Sequence, residues 1–247
     1  MDKRLKDDFL DLLFCVGALK TGGDFTLKSG RISPYFFNVA EFNTGSSIHK
    51  LGQFYGAAIL DLRRPSVIFG PSYKGVPLAV ATSIALEPGW GEIGYAFDRK
   101  EAKDRGEATQ ESQKSWIVGS NITNESRIII LDDVITTGAA KYEALDLLKK
   151  LAPNATYLGV VIALDRQEVG DDGKSALETF SEKTGLPVHS LITATDIYER
   201  LKVVDPKESV SMARYLRAYG TEPVKLHVQR SLERTLDYGP HLIEDNK

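Results

Sequence analysis

Apolar residues recur at helical spacing at the start of the chain. Leu5, Phe9, Leu12, Leu13 and Val16 share one face between residues 2 and 20, and Thr21-Gly22-Gly23 supplies a stop. An amphipathic opening helix is expected there. Two short β-prone runs follow, Phe25-Thr26-Leu27 and Tyr35-Phe36-Phe37-Asn38-Val39, and Gly30 and Pro34 force a turn between them. The pair predicts a hairpin outside any main sheet. A helical pattern returns over 46–62, and from there strand, loop and helix alternate. The strand candidates are Val67-Ile68-Phe69, Ile128-Ile129-Ile130-Leu131, residues 157–164 and residues 188–192, all continuous apolar runs. Such runs suit strands covered on both faces, as in a parallel sheet. Helices over 76–86, 139–151 and 175–184 would supply the crossovers. The predicted fold class is α/β: an open, doubly wound parallel sheet flanked by helices, with ligands at the carboxyl ends of the strands.

No repeat, low-complexity stretch or Pro/Ser-rich linker divides the chain, so a single domain over 1–247 is expected. It would comprise a small N-terminal hood to about residue 45, a core over 46–220 and an extension over 221–247. In the extension Leu226, Leu232, Leu236 and Leu242 follow a weak helical pattern. Residues 98–114 are too charged to pack and too long for a simple connection, which predicts a mobile functional loop. Composition, 42% hydrophobic and 26% charged, excludes disorder as the main state. A net charge of -3 gives no global positive field, so nucleic acid and anionic membrane surfaces are not expected partners and any anion must be captured locally. The one cysteine, Cys15, cannot form an internal disulfide and reads as a buried small hydrophobe. The N-terminus is charged and no run approaches a membrane span, so the cytoplasm is the expected compartment. His49, His189, His227 and His241 show neither metal-ligand spacing nor a nucleophilic partner, and read as structural or surface residues.

The strongest chemical signal is Ile128-Ile129-Ile130-Leu131-Asp132-Asp133-Val134-Ile135-Thr136-Thr137-Gly138-Ala139-Ala140. A buried strand ends in two carboxylates, and a short hydroxyl- and Gly-containing turn opens a helix, so backbone N–H groups face one point that suits a phosphate. The Gly-Lys-Ser/Thr ending of a Walker loop is absent. Two acceptors beside a monophosphate cradle match a ribose 5-phosphate. The bland alternative is a strand ending in solvated Asp followed by a helix cap.

This segment resembles the phosphoribosyl-diphosphate signature of the type I phosphoribosyltransferases. Four more segments occur with it in order: residues 26–38, Phe69-Gly70-Pro71-Ser72-Tyr73-Lys74-Gly75, Arg99-Lys100-Glu101-Ala102-Lys103-Asp104 and Leu164-Asp165-Arg166-Gln167-Glu168. Together they resemble the orotate phosphoribosyltransferases, from the first helix to about Tyr219. Residues 70–75 also make sense alone, since Gly-rich backbone and Lys74 suit a pyrophosphate, although an ordinary Gly-Pro turn with a surface Lys reads the same way. The resemblance implies a cis non-proline peptide near Ser72-Tyr73, with Tyr73 and Lys74 contacting the diphosphate.

Arg99, Lys100, Lys103 and Arg105 put four cations in seven residues, by themselves a solvated charged loop as readily as a site. The resemblance implies that this loop closes over the diphosphate and partly serves a neighbouring subunit, making the active unit a homodimer, with Lys103 neutralising the departing pyrophosphate. The chain departs from the family pattern at Arg105, where His is usual, at Ala108-Thr109, where two glycines are usual, and in an enlarged stretch over 110–116. These changes alter hinge freedom more than charge. The base would be held by the hairpin and Arg166. Orotate is a flat carboxylated pyrimidine, and a guanidinium fork can bind its carboxylate through two parallel hydrogen bonds. Extended backbone puts Phe36 and Phe37 on opposite faces, so one can cover the ring while the other packs inward; the family places both next to orotate. The resemblance further implies Lys28 near base and diphosphate, Thr136 between phosphate turn and base, and residues 132–140 around the phosphoribosyl group. Asp132 and Asp133 would hold the ribose, and Mg2+ would bind through substrate oxygens and water rather than through an all-protein cage. The rival readings are a type I transferase for a purine or uracil, and a non-catalytic regulator that keeps the pocket and binds nucleic acid. Arg166 argues against the first and the net charge against the second.

Overall fold

A computed structural model of the chain describes residues 1–60, 62–99, 116–135, 138–170 and 173–237. Helix α1 (Lys3–Cys15) is capped by the Asp2 carboxylate, which accepts the Leu5 N–H, and it buries Phe9, Leu10 and Leu13. It ends five residues earlier than the apolar spacing implies. Gly17, at φ 73°, takes the left-handed position after the helix, the Ala18 N–H returns to the Leu13 carbonyl and the Gly17 N–H to Phe14. That is a Schellman stop, and the stop lies at Gly17 rather than at Gly22-Gly23. Cys15, on the last turn and away from the buried face, is exposed, which corrects the expectation of a buried thiol.

Strands β1 (Leu19–Thr26) and β2 (Ile32–Phe37) form the separate antiparallel hairpin. β1 starts earlier than its sequence pattern suggests, because a register shift between Thr21 and Phe25 absorbs the two glycines within the strand. After a single 3-10 turn, α2 (Gly45–Leu60) leads into the main sheet. Its members are β3 (Val67–Phe69), β4 (Gly94–Asp98), β5 (Ile117–Gly119), β6 (Arg127–Val134), β7 (Thr156–Asp165) and β8 (Val188–Thr193), in the order β5-β4-β3-β6-β7-β8. All neighbours are parallel except β4 and β5. The crossovers are α3 (Gly75–Trp90), α4 (Ala139–Leu151) and α5 (Ala176–Thr184), the last with a Ser175/Glu178 capping box. Helices α6 (Ala194–Val204), α7 (Pro206–Tyr219) and α8 (Glu222–Asp237) complete the described chain.

Along β6 successive side chains enter opposite layers, which is why the run is apolar throughout. Ile129 and Leu131 join a core with α1, α2, α3, the hairpin and the three C-terminal helices, whereas Ile128 and Ile130 join one with α4 and α5. The expected sheet and its apolar strands are therefore present. β4 and β5 were not legible: one is a five-residue run with a half-buried pattern and the other has three residues. In α8 the buried stripe is Val224 and Val228 with Leu232 partly buried, while Leu226 is exposed, so of the leucine pattern Leu232 packs on the core and Leu226 does not.

From β3 the chain crosses to β4 on one side and later returns to place β6 on the other. The order reverses between β3 and β6, and in open α/β sheets the crevice at such a point is where ligands bind.

Candidate active site

Two loops meet across that crevice. In the loop after β3, a Cβ at Gly70 would lie 2.0 Å from the Gly75 carbonyl oxygen, so the tight closure of residues 70–75 excludes any larger residue there. The peptide between Ser72 and Tyr73 is cis, at the position implied by the family resemblance. The Ser72 N–H donates to Asp98 Oδ1 at 2.6 Å and its hydroxyl to the Asp98 carbonyl, which ties the loop to the end of β4. Tyr73 is exposed, and Lys74 reaches across to Asp133 Oδ2 at 2.7 Å.

At the end of β6 both aspartates are buried, Asp132 at 7% and Asp133 at 5% exposure. Asp132 Oδ1 accepts the Asp133 N–H and Asp133 Oδ1 accepts the Val134 N–H, each at 2.8 Å. Asp132 Oδ2 pairs with the buried Lys141 ammonium. The Tyr55 hydroxyl donates to the Asp132 carbonyl at 2.7 Å, fixing the strand end against α2. Burial pushes the Asp132 carboxyl above its ordinary range; Lys141 opposes this and the Asp133 charge adds to it. Ile135 is buried, and Gly138, at φ 75°, caps α4, which Ala139 and Ala140 open.

A second cluster lies on the adjacent strand. Arg166 follows the last residue of β7; its Nε donates to Glu168 Oε1 at 2.7 Å, and Nη2 to Ser33 Oγ at 3.0 Å and the Tyr215 hydroxyl at 3.4 Å. The guanidinium lies 4.1 Å from the centre of the Tyr35 ring. Nη1 has no hydrogen bond to any described residue. Glu168 also accepts from Tyr215 at 2.8 Å and pairs with Arg31 at 3.3 Å, so two guanidiniums share one carboxylate, with the Asp165 carboxylate close enough for its charge to act on Glu168 and Tyr35. Of the two phenylalanines, Phe37 is buried in the core and Phe36 is exposed and stacked on Phe25, with centroids 5.7 Å apart. Lys28 is exposed in the hairpin turn.

The structure thus joins Lys74 to Asp133, and the hairpin to Arg166 through Ser33 and Tyr35. Because Val134 pairs with Leu164, the two clusters sit on neighbouring strand ends, which are about 5 Å apart. Arg99 closes β4, with its N–H on the Trp116 carbonyl at 2.8 Å and its Nε buried without a partner among the described residues. Lys100, Lys103, Arg105, Thr136 and Thr137 lie outside the described residues, as do most of the charged loop and His241. His49 and His189 are exposed and His227 pairs with Glu199. Among the described residues, no group of three or more His, Cys, Asp or Glu side chains could hold a metal ion, and no helix is long and apolar enough to cross a membrane.

Sequence reasoning missed Lys141, Asp98 and Tyr215. A Lys inside the first turn of a helix after Asp-Asp was a readable signal for the first. Asp98 preceded the charged run and was absorbed into it, and Tyr215 comes from α7, far away along the chain.

Residues 46–189, which hold the acidic pair, the glycine that caps α4 and the Gly-rich loop across the switch point, match the phosphoribosyl transferase domain family. The chain is 42% identical to the orotate phosphoribosyltransferase of Methylococcus capsulatus over 87% of its own length and 97% of that protein. It is 44% identical to the enzyme of Ruthia magnifica over 81% and 90% of the two chains. The solved structure of orotate phosphoribosyltransferase from Francisella tularensis superimposes with a TM-score of 0.73 at 36% identity, covering 87% of this chain and all of that one. The chain belongs to the orotate phosphoribosyltransferase family, whose members are pentosyltransferases.

Proposed function

We infer that this chain transfers the 5-phosphoribosyl group from phosphoribosyl diphosphate to orotate, giving orotidine 5'-monophosphate and pyrophosphate, a step of pyrimidine synthesis. The observation that carries the choice of base is Arg166, a guanidinium held by Glu168 and Ser33 beside the ribose-binding edge with Nη1 left to donate. A carboxylated base accepts a charge-assisted hydrogen bond there, and a neutral base does not.

The reaction forms a bond from an orotate ring nitrogen to the anomeric carbon as that carbon's bond to the diphosphate oxygen breaks, and the ring nitrogen loses its proton. The transition state is cation-like at carbon and anionic at the leaving oxygen, so the protein contributes chiefly position and charge. Asp133 and Asp132 accept from the ribose hydroxyls. We assign the 5-phosphate to the segment after the aspartates, residues 135–140 with Thr136 and Thr137 among them, since the Val134 N–H already donates to Asp133 Oδ1. Lys74 is half exposed on a loop while Asp133 is buried, so its ammonium can turn to the diphosphate only as the ribose hydroxyls take its place on the Asp133 carboxylate. The N–H groups of Tyr73 and Lys74 lie beside it, that of Ser72 being held by Asp98. Lys103, with Arg99, Lys100 and Arg105, covers the leaving group, and Lys28 and Phe36 cover the base. The two aspartates are each engaged by a lysine, so Mg2+ would enter with the substrate rather than on this pair, and it would supply charge neutralisation of the leaving group. We place the reaction in the cytoplasm, in a homodimer whose loops are shared. We also assign hood, core and C-terminal helix to one unit, supported by Val224 and Val228 packing into the same core as the hairpin.

Arg166→Leu should lower kcat/KM for orotate by about 100-fold, the loss of a charge-assisted hydrogen bond to the substrate, while leaving the affinity for phosphoribosyl diphosphate within a few-fold of wild type. Arg166→Lys should restore little, because an ammonium cannot keep the partners Glu168, Ser33 and Tyr215 and reach the substrate carboxylate as the planar guanidinium does. Steady-state kinetics with each substrate varied would check this, and equal loss on both substrates would make Arg166 a structural residue only.

A further inference from the structure

Asp132 and Asp133 are adjacent, yet their lysine partners differ in kind. Lys74 is 56% exposed at the end of a loop, whereas the Lys141 side chain is 6% exposed and its partner Asp132 only 10%. Lys141 also sits in the first turn of α4, where the helix end is electropositive and a cation is disfavoured. A buried ammonium there is compensated by Asp132, whose other oxygen is already occupied by the Asp133 N–H. The charged and titratable groups facing Asp132 are Asp133 on β6, Tyr55 from α2 and Lys141 from α4.

When Lys74 turns to the diphosphate, Asp133 becomes free, but Lys141 has no comparable exit from the interior. The aspartates then carry one net negative charge with Lys141 present and two without it. We propose that Lys141 is a positioning residue for the ribose site: its ammonium pins the Asp132 carboxylate and halves the negative charge that the pair presents to the phosphate-bearing substrate. Burial and the Asp133 charge both favour the protonated form of Asp132, and Lys141 is what opposes them. The proposal rests on the phosphoribosyl-transfer reading above.

The test is calorimetric titration with phosphoribosyl diphosphate and Mg2+, together with kcat/KM against pH, for wild type and for Lys141→Met, Lys141→Gln and Lys141→Arg. Lys141→Met should weaken phosphoribosyl diphosphate binding at neutral pH by about tenfold or more and move the acid limb of kcat/KM for that substrate up by about one pH unit. The KM for orotate, at saturating phosphoribosyl diphosphate, should stay within about threefold, since orotate does not touch the pair. Lys141→Arg should restore both quantities. If Lys141→Met does not fold, Lys141→Gln decides, because it keeps a hydrogen-bond donor and removes only the charge. A variant without the charge that binds and titrates like wild type overturns the proposal, as does a failure of Lys141→Arg to rescue. Wild type that neither binds phosphoribosyl diphosphate nor consumes orotate would sink the functional reading and this proposal together. Active wild type with unchanged Lys141→Met and Lys141→Gln would sink the proposal alone.

Discussion

Carboxylates at the strand ends of this chain are buried at Asp132 and Asp133 and half-buried at Asp98 and Asp165, and their environments set their chemistry. Asp165, the last residue of β7, is pushed above its ordinary value of 3.8 chiefly by burial, with the charges of Glu178 and Glu168 adding to the rise and the Gln167 N–H opposing it. The folded chain therefore holds a proton at Asp165 in a pH range where the unfolded chain has released it. Stability attributable to this group is present at low pH and is lost as pH rises from 3.8 through the raised value. Asp165→Asn removes that loss and keeps an acceptor for the Gln167 N–H. Its melting temperature relative to wild type should therefore increase between about pH 4 and about pH 7. Thermal unfolding at the two pH values measures the difference, and a constant offset would mean that Asp165 does not titrate in that range. At this scale the sequence was most legible where chemistry is local. Asp132, Asp133 and Lys74 lie within a few residues of their own strand ends, so a loop motif suffices to place them. Tyr215 and Ser33, which hold Arg166, come from a helix and a hairpin that meet only after folding, and no spacing along the chain announces them.

Elements were legible in proportion to how completely they are buried. β6 and β7, apolar on both faces, were found nearly to the residue, as was α4. β5 is three residues long at the antiparallel edge, where half-burial leaves no pattern. The end of α1 was misjudged because the glycine pair at 22–23 was read as the stop, whereas the left-handed backbone of Gly17, directly after the last apolar residue Val16, ends the helix. In helix α8 the leucine pattern included Leu232, which packs on the core, but not Val228, fully buried, and Val224, which provide most of the contact. If α8 is part of the core, Val228→Ala should cost about 2 kcal/mol by removing two buried methyl groups. That corresponds to a melting temperature lower by about 4–8 °C in a chain of this size, with kcat unchanged. A mutant as stable as wild type would detach α8 from the core.

At the scale of the molecule, topology places the chemistry. Reversal of strand order between β3 and β6 opens the crevice, residues 70–75 and 132–135 line it, and β7 brings Arg166 alongside. None of this depends on the enlarged charged loop, whose proposed role is in the partner's site. If loops are shared in a homodimer, Lys103→Ala and Arg166→Leu subunits, each inactive alone, should regain activity when mixed and allowed to exchange. A random mixture would place both defects in one site and leave the other intact in about half of the dimers. Mixtures no more active than the parents would mean that each subunit completes its own site.

The most direct measurement is the ultraviolet absorbance of orotate incubated with the purified protein, phosphoribosyl diphosphate and Mg2+, with uracil, adenine and hypoxanthine in parallel. The account predicts loss of the orotate signal only when all components are present, and no reaction of the neutral bases. Turnover of a neutral base in preference to orotate would contradict the assignment of Arg166 and, with it, the substrate.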